Sequence, residues 1–289
     1  MENYFFPESS PLIKKIIALA LEEDLPQGDI TAALTIPADR RSKGLIRAKE
    51  SCVVCGIPLV EMILWEFGEK DFSVTPLVAE GEEIQASRAS PVSLVQAEAT
   101  TSTLLSVERT ILNFMQRLCG VATLTRSVMK SAGNLKVLDT RKTTPGLRLL
   151  EKYAVRVGGG KNHRGSLSDM ILVKNNHIDA GGGLENVLQR INDDKPAYTT
   201  VEVEVRSLTE LQTALRFKPQ VVMLDNMSDK DIKESVALVA AEGAGVAVEV
   251  SGGISVDRFS KLQELGIHCV SMGSLTTHAV NVDISMKIE

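Results

Sequence analysis

The chain has 289 residues, enough for one large domain or two ordinary ones, and 44% of them are apolar. It has 32 lysines and arginines and 37 acidic residues, so it is acidic overall. Basic and aromatic residues are not interleaved, which argues against nucleic acid as a partner. No apolar run reaches the roughly 18 residues of a membrane helix, and Ile16–Leu21 is too short for a secretory signal. We therefore expect a cytoplasmic protein with no membrane partner.

The cysteines and histidines lack the spacing of a metal site. Cys52 and Cys55 form one CxxC in an apolar segment, and no second CxxC or histidine pair completes a zinc set. We interpret both as buried hydrophobic residues in a reducing compartment. His163 and His177 are isolated, and a loop histidine is more often a hydrogen-bonding residue than a metal ligand.

The first third of the chain predicts short strands packed against helices. A helix should start at Ser10-Pro11, where a serine N-cap precedes a proline. A second helix is predicted at Pro58–Phe67. The strand-like runs are Gly44–Lys49, Cys52–Val54 and Phe72–Leu77.

A long helix is predicted over Ala97–Cys119, with Gly120 as its expected end. One stripe of this helix is polar but almost uncharged, which suits contact with another polypeptide. Arg109 lies on that stripe, although spacing alone favours an ordinary exposed arginine. We place the domain boundary here, so that residues 1–115 form a first domain and residues 116–273 a second.

Beyond Gly133, strands and helices alternate, which predicts a parallel sheet, closed or doubly wound. The predicted strands are Lys136–Leu138, Met170–Val173, Thr200–Val205, Val221–Leu224, Val246–Val250 and Cys269–Met272. The predicted helices are Pro145–Val157, Leu184–Ile191, Leu208–Arg216, Asp229–Ala241 and Val256–Leu265. Six strands are fewer than the eight of a standard (β/α)₈ barrel.

Three glutamates alternate with valines in the predicted strands. Glu202, Glu204 and Glu249 would face the interior of a barrel, with the valines against the outer helices. Buried carboxylates need partners, because an unpaired buried charge is costly. The nearby cations would supply them, and such pairing serves structural neutralisation and catalysis equally well.

Those cations are concentrated between Leu138 and His177. They are Arg141, Lys142, Arg148, Lys152, Arg156, Lys161, Arg164 and Lys174. Only three acids accompany them: Asp139, Glu151 and Asp169. A local cationic surplus inside an acidic protein indicates a small anionic ligand rather than a polyanion surface. Arg148, Lys152 and Arg156 fall on a predicted helix, where a solvated or salt-bridged face is the better interpretation.

Polar or glycine residues follow nearly every predicted strand, at the end where α/β folds place their active sites. Ser251-Gly252-Gly253 and Gly273 follow the last two strands and are typical of a phosphate cradle. Glu204 and Asp225 would hold Mg²⁺ weakly, sharing it with a substrate's phosphates. The chain has no P-loop, no dinucleotide fingerprint and no GxSxG serine motif.

Several segments resemble the quinolinate phosphoribosyltransferase family, also called carboxylating nicotinate-nucleotide pyrophosphorylase. They are EEDLPQGDIT, ERTILNFMQRLCGVAT, DTRKTTPGLR, KYAVRVGGGKNHR, LVKNNHI, VEVEV, MLDN, EVSGGI and the terminal DIS. The resemblance implies the type II phosphoribosyltransferase fold. That fold is an N-terminal α/β sandwich, joined by the C-terminal tail 274–289, plus an open α/β barrel of about six parallel strands.

The resemblance also implies a reaction. Quinolinate and phosphoribosyl pyrophosphate (PRPP) would give nicotinate mononucleotide, pyrophosphate and CO₂, with Mg²⁺, as a step of NAD biosynthesis. The enzyme would be a homodimer or a higher oligomer, with Arg109 entering the partner's site. The quinolinate carboxylates would be bound by Arg141, His163, Arg164, Lys174 and the partner's Arg109.

The remaining implied roles concern PRPP and catalysis. Lys142 would serve the pyrophosphate, and Glu204 and Asp225 would hold the ribose hydroxyls and Mg²⁺ and stabilise positive charge at the anomeric carbon. The 5′-phosphate would bind at Ser251, Gly252, Gly253 and Gly273. The chain departs from the family pattern at Asn175, where aspartate is usual, at Ala99, where glycine is usual, and in its C-terminal tail.

Three alternatives remain. A molybdenum-transport-associated paralogue shares the fold, but Lys174 and Asn162 favour the transferase. A phosphate-binding barrel lyase or aldolase would form a Schiff base on Lys174 or Lys142. A non-enzymatic module would bind anions without turnover.

Overall fold

The computed structural model describes residues 6–8 and 10–289. Its helices are α1 Pro11–Asp24, α2 Ile30–Thr35, α3 Ile57–Phe67, α4 Thr101–Lys130, α5 Arg148–Val157, α6 Asn175–Ala180, α7 Leu184–Asp194, α8 Leu208–Arg216, α9 Asp229–Glu242, α10 Phe259–Glu264 and α11 Ser274–Thr277. Its strands are β1 Arg41–Ala48, β2 Cys52–Val53, β3 Ser73–Pro76, β4 Glu83–Ile84, β5 Val92–Thr100, β6 Lys136–Leu138, β7 Ile171–Val173, β8 Val201–Val205, β9 Val221–Asp225, β10 Ala247–Ser251, β11 Cys269–Ser271 and β12 Ile284–Ile288.

The chain divides into two compact units. The first contains Met1–Ser127, Lys142–Gly160 and Ser274–Glu289, and the second contains Val128–Arg141 and Lys161–Gly273. The division predicted from the sequence, at residue 115, assigns less of the chain to the first unit, and it stays a prediction. No helix in the described part of the chain has the length and apolarity needed to cross a bilayer.

The first unit is built on a four-stranded antiparallel sheet in the order β12-β1-β5-β3, with β2 and β4 forming a separate pair. The C-terminal strand β12 pairs with β1, so the chain's last residues belong to this sheet. The alternation of buried and half-buried residues along β5 is that of a strand with one face on a core. Cys52, Cys55 and Cys119 are buried free thiols, and burial raises the pKa of Cys55 well above its usual value.

Two predictions about the long helix were wrong. Residues 97–100 complete β5, and the helix starts at Thr101. Gly120 does not end the helix, which continues to Lys130. A Cβ at Gly120 would collide with the Val280 carbonyl oxygen, so this glycine allows close packing of the C-terminal segment instead of breaking the helix.

The second unit contains a six-stranded parallel sheet in the order β6-β11-β10-β9-β8-β7, which confirms the predicted number and direction of strands. Glu202, Glu204 and Glu249 are all buried, as expected for interior positions. The predicted helix Val256–Leu265 is instead a short 3₁₀ turn, Val256–Arg258, followed by α10. The predicted helix at Pro145 begins at Arg148, and α6 was not predicted.

Candidate active site

Two carboxylates mark the carboxyl ends of β8 and β9 in the second unit. Glu204 is the penultimate position of β8, and Asp225 is the last residue of β9, the strand that pairs with it. Lys174 follows β7, and its Nζ lies 2.6 Å from Glu204 Oε2. The lysine side chain keeps 44% of its surface exposed while the glutamate is buried. The strand ends therefore combine a solvent-accessible cation with two acids.

The backbone of Lys174 is fixed by His177. The Lys174 backbone N–H donates to His177 Nδ1 at 2.9 Å, and the His177 N–H returns a bond to the Lys174 carbonyl at 2.8 Å. This pair of bonds opens α6, a helix that the sequence did not predict. His177 thus acts as a hydrogen-bonding residue, the role that its isolation in the sequence favoured.

Arg141 and Arg164 are two cations whose charges act on each other. Arg141 follows β6, and Arg164 comes from the loop that precedes β7. Partial burial, and then the charge of Arg141, lower the pKa of Arg164. Both side chains are half-buried. The negative charges of Glu202 and Asp169 act in the opposite direction on the pKa of Arg164, and a bound anion would offset the repulsion between the two arginines further.

His163 lies between the two interior glutamates. Its Nε2 is 3.1 Å from Glu202 Oε2 and 3.8 Å from Glu249 Oε1. The other ring nitrogen, Nδ1, accepts the Arg164 backbone N–H at 2.7 Å. Burial, and then the charge of Glu202, raise the pKa of Glu249 to about 7. Sequence reasoning assigned His163 to quinolinate, and here its ring nitrogens face protein groups.

Asp139 is a residue whose role the sequence analysis missed. It is fully buried directly after β6, and its Oδ1 accepts the His163 backbone N–H at 2.8 Å. Its Oδ2 accepts from Asn162 Nδ2 at 2.5 Å. An acid immediately after an apolar strand, just before the basic stretch, is the signal that would have indicated a buried acceptor for this loop.

The predicted phosphate cradle is a tight loop at the end of β10. Gly252 and Gly253 have φ of +87° and +57°, which favour glycine. A Cβ at Gly252 would collide with the side-chain amide of Asn226, which follows β9. Ser271 Oγ donates to Ser251 Oγ at 3.0 Å. Gly273 lies two residues after the end of β11, the strand next to β10 in the sheet.

Two predicted site residues belong to the first unit. Lys142 is exposed, and its backbone carbonyl accepts from Thr276 Oγ1 at 2.6 Å. Arg109 is an exposed residue of α4. The second unit by itself thus unites Arg141, His163, Arg164, Lys174, Glu204, Asp225, Ser251, Gly252, Gly253 and Gly273. The roles assigned to these residues stay predictions.

Acids, cations and a glycine loop at the carboxyl ends of parallel strands define an α/β enzyme for anionic substrates. The N-terminal domain model of quinolinate phosphoribosyl transferase matches residues 29–119, and its C-terminal domain model matches residues 121–287. Quinolinate phosphoribosyltransferase (decarboxylating) 1b of Nicotiana tabacum is 37% identical over 293 residues, covering 96% of this chain and 82% of the relative. The chloroplastic nicotinate-nucleotide pyrophosphorylase (carboxylating) of Arabidopsis thaliana is 34% identical, covering 98% and 85%.

Solved structures agree with these relatives. NadC from Streptococcus pyogenes superposes with a TM-score of 0.87 at 35% identity, covering 96% of both chains. The nicotinate-nucleotide pyrophosphorylase from Francisella tularensis gives a TM-score of 0.85 at 34% identity, again covering 96% of both chains. The chain belongs to the quinolinate phosphoribosyltransferase family, and it is a transferase of pyridine nucleotide biosynthesis.

Proposed function

We propose that this chain transfers the phosphoribosyl group of PRPP to the ring nitrogen of quinolinate and releases pyrophosphate and CO₂, in the cytoplasm. The product would be nicotinate mononucleotide. The observation that carries the proposal is a set of three cations, the half-buried Arg141 after β6, the half-buried Arg164 before β7 and the exposed Lys174 beside Glu204. Family membership supplies the substrate class, and the arginine pair supplies a fit to a dicarboxylate.

The arginine pair would bind the two adjacent carboxylates of quinolinate. Guanidinium groups bind carboxylates through two parallel hydrogen bonds, which fixes the orientation of the ring as well as its position. Lys174 would contribute a third positive charge, since its exposed ammonium reaches solvent while it contacts Glu204. Three cations for two anionic charges would hold quinolinate firmly with its ring nitrogen directed at the incoming sugar.

PRPP would lie across the neighbouring strand ends. The 5′-phosphate fits the loop Ser251–Gly253, where positive φ angles let backbone N–H groups approach an anion. Lys142 would bind the pyrophosphate. Glu204 and Asp225 have the carboxylate oxygens that Mg²⁺ prefers, and they would hold that ion together with oxygens of PRPP. The bound ion would neutralise charge on the leaving pyrophosphate.

The chemistry asks the protein mainly for position and charge. The bond between the anomeric carbon and pyrophosphate breaks, and the quinolinate nitrogen forms a new bond to that carbon. Glu204 and Asp225 would stabilise the positive charge that develops on the sugar. The ribosylated nitrogen is then cationic and accepts the electron pair left when CO₂ departs. A proton added to the ring carbon completes nicotinate mononucleotide.

The site would be completed by a second copy of the chain. Arg109 is exposed on α4, so it is available to reach a neighbouring protomer's site in a homodimer. Mixing inactive Arg109→Ala and Lys174→Ala proteins, with subunit exchange, should restore about a quarter of the wild-type activity, because half of the dimers would be mixed and each would have one intact site. No recovery in verified mixed dimers would contradict a shared site.

The direct test supplies quinolinate, PRPP and Mg²⁺ and measures nicotinate mononucleotide and pyrophosphate. We expect both products in equal amounts and neither without PRPP. Folded protein that forms no product would overturn the proposal. Borohydride trapping of a carbonyl substrate on Lys174 or Lys142 would favour the Schiff-base lyase instead. Phosphate binding without turnover would favour the anion-binding module.

A further inference from the structure

Beneath the strand ends, the second unit contains a buried cluster of three titratable side chains, His163, Glu202 and Glu249. The side chains expose 9% of the histidine and no more than 3% of each glutamate. One oxygen of each glutamate, Glu202 Oε1 and Glu249 Oε1, has no hydrogen-bond partner. Two acids so deep in a protein need a purpose or a partner, since the burial of a carboxylate is costly.

A metal ion is the first possibility, because one ligand atom from each residue lies within 4.8 Å of the others. The tautomer of His163 argues against it. Nδ1 accepts a backbone N–H from Arg164, and a backbone amide is always a donor. The ring proton of the neutral histidine is therefore on Nε2, pointing at Glu202. A metal-bound histidine has the reverse arrangement, with its second nitrogen donating to an acceptor.

The group instead forms one half of a clamp on the loop 162–164. From within the sheet, Glu202 accepts from His163 Nε2 at 3.1 Å. From the end of β6, Asp139 accepts from the His163 backbone and from Asn162. The histidine ring then accepts the backbone N–H of Arg164. Two buried carboxylates, one on β8 and one directly after β6, thereby fix three successive residues.

The clamp is needed to keep Arg164 in place, because the charge of Arg141 repels its guanidinium group. Partial burial and the charge of Arg141 both act against its positive charge, and the charges of Glu202 and Asp169 only partly offset them, so that the pKa of Arg164 is lowered. An unrestrained loop would relax and separate the two guanidinium groups. Asp139 is in the same chain segment as Arg141, so the clamp ties Arg164 to the strand end that carries the other arginine.

We propose that Glu202 is a positioning residue for the dicarboxylate half of the site, acting through the His163 ring to hold Arg164 beside Arg141. The inference rests on the proposed function in naming quinolinate as the ligand. Glu202 itself lies below the strand end, and its negative charge also favours the charged form of Arg164 directly; the positioning role is the part that passes through His163. Loss of Glu202 should weaken quinolinate binding and leave PRPP binding unchanged.

Calorimetry with quinolinate alone, without PRPP, measures this effect directly. Glu202→Leu should weaken binding about tenfold, whereas Glu202→Gln, whose amide oxygen can still accept from Nε2, should stay within about threefold of wild type. Glu249→Leu is the matched control, an equally buried acid whose oxygen is 3.8 Å from Nε2. Equal weakening by the two leucine variants, or none by Glu202→Leu, would overturn the inference.

A double-mutant cycle asks whether Glu202 acts through the ring. In a His163→Ala background, Glu202→Leu should cause a clearly smaller loss of quinolinate affinity than in the wild-type background, because the bond to the ring is already absent. Additive losses would contradict the proposal. The Michaelis constant for PRPP should remain within about twofold of wild type in both single variants.

The tautomer offers a test that needs no variant to fold. Nuclear magnetic resonance of wild-type protein with isotope-labelled histidine should show His163 protonated at Nε2 and not at Nδ1. A ring protonated at Nδ1 would overturn the inference. A wild-type protein that fails to bind quinolinate would refute the proposed function, whereas normal binding with insensitive Glu202 variants would refute only the positioning role.

Discussion

Each unit of the molecule has an ion pair between a buried glutamate and a cation, and the two pairs differ in how fully their hydrogen bonds are used. In the first unit, Arg117 Nη2 lies 2.7 Å from Glu151 Oε1, and the arginine also donates to the carbonyls of Thr276 and Ala279. Glu151 further accepts from the backbone and hydroxyl of Thr144. This pair is enclosed and its groups are bound from several sides.

The pair in the second unit is open. Lys174 makes one contact of 2.6 Å with Glu204 and remains 44% exposed, against 18% for Arg117. An exposed cation can exchange or share its partner with an incoming anion at little cost, whereas an enclosed one cannot. A structural ion pair is therefore one that is enclosed and has all its hydrogen bonds made, whereas a pair available for substrate has an exposed cation with few bonds.

We expect the largest effect on stability from a substitution that breaks the enclosed pair, Arg117 with Glu151. Arg117→Met should lower the free energy of unfolding by about 3–5 kcal/mol, because it leaves Glu151 buried without its cation. Arg41→Met is the control, since Arg41 and Asp71 are exposed by 43% and 87%, and it should cost under about 1 kcal/mol. Chemical denaturation measures both. Equal losses would mean that enclosure does not distinguish the pairs.

Breaking the open pair should affect activity more than stability. Lys174→Ala should lower kcat/KM by about 10²–10³, while the denaturation midpoint should fall less than in Arg117→Met, because Glu204 loses only one contact. Arg190→Ala, which removes an exposed cation from α7 of the same unit, should leave both quantities unchanged. Steady-state rates with quinolinate and PRPP decide the matter. A Lys174→Ala protein within tenfold of wild type would place Lys174 outside the site.

The glycine loop provides a substitution that should act on one substrate only. Gly252→Ala should raise the Michaelis constant for PRPP about tenfold, because the new Cβ would displace Asn226. Gly245→Ala is a matched control, since Gly245 has a similar φ of +85° with nothing within 4 Å of its Cβ position. Both variants share the backbone strain, so equal kinetic effects would refute a role for the loop in binding PRPP.

The smallest effect concerns pH. The folded protein binds the Glu249 proton more tightly than the unfolded chain, because its pKa is raised from 4.5 to about 7. Its contribution to stability is therefore lost as pH rises between these two values, by roughly 1–3 kcal/mol. Glu249→Gln should abolish this loss, so unfolding at pH 5 and pH 8 should differ less than in wild type. An unchanged difference would contradict the raised pKa.

Much of the fold could be predicted from local patterns. All six parallel strands are within two residues of their predicted positions, because each is a short valine- or leucine-containing run, either apolar or alternating with glutamate, that turns or helical patterns separate from the next. The junction of β5 and α4 could not be found in this way, because the strand passes directly into the helix at Thr100 and Thr101 with no glycine or proline to mark the change. The wrong prediction that Gly120 ends the helix has a tertiary cause. This glycine is needed because Val280 packs closely against the helix, which local sequence does not reveal.

The sequence predicted which strand ends carry the candidate site residues, but it did not predict the hydrogen bonds that connect these residues. Glu202 and His163 are 39 positions apart, and only the pairing of strands brings the glutamate beneath the loop. Asp139 was visible as a polar residue after a strand, yet its carboxylate serves backbone and side-chain donors across a turn. Such contacts depend on register and rotamer, which sequence spacing does not specify.

The measurement that most directly tests this account is a crystal structure of the protein with quinolinate bound. We predict that the two carboxylates of the ligand contact Arg141 and Arg164 and that Lys174 Nζ lies within hydrogen-bond distance of the ligand, while His163 keeps its bond to Glu202. Quinolinate bound away from these arginines would contradict the assignment of the dicarboxylate site.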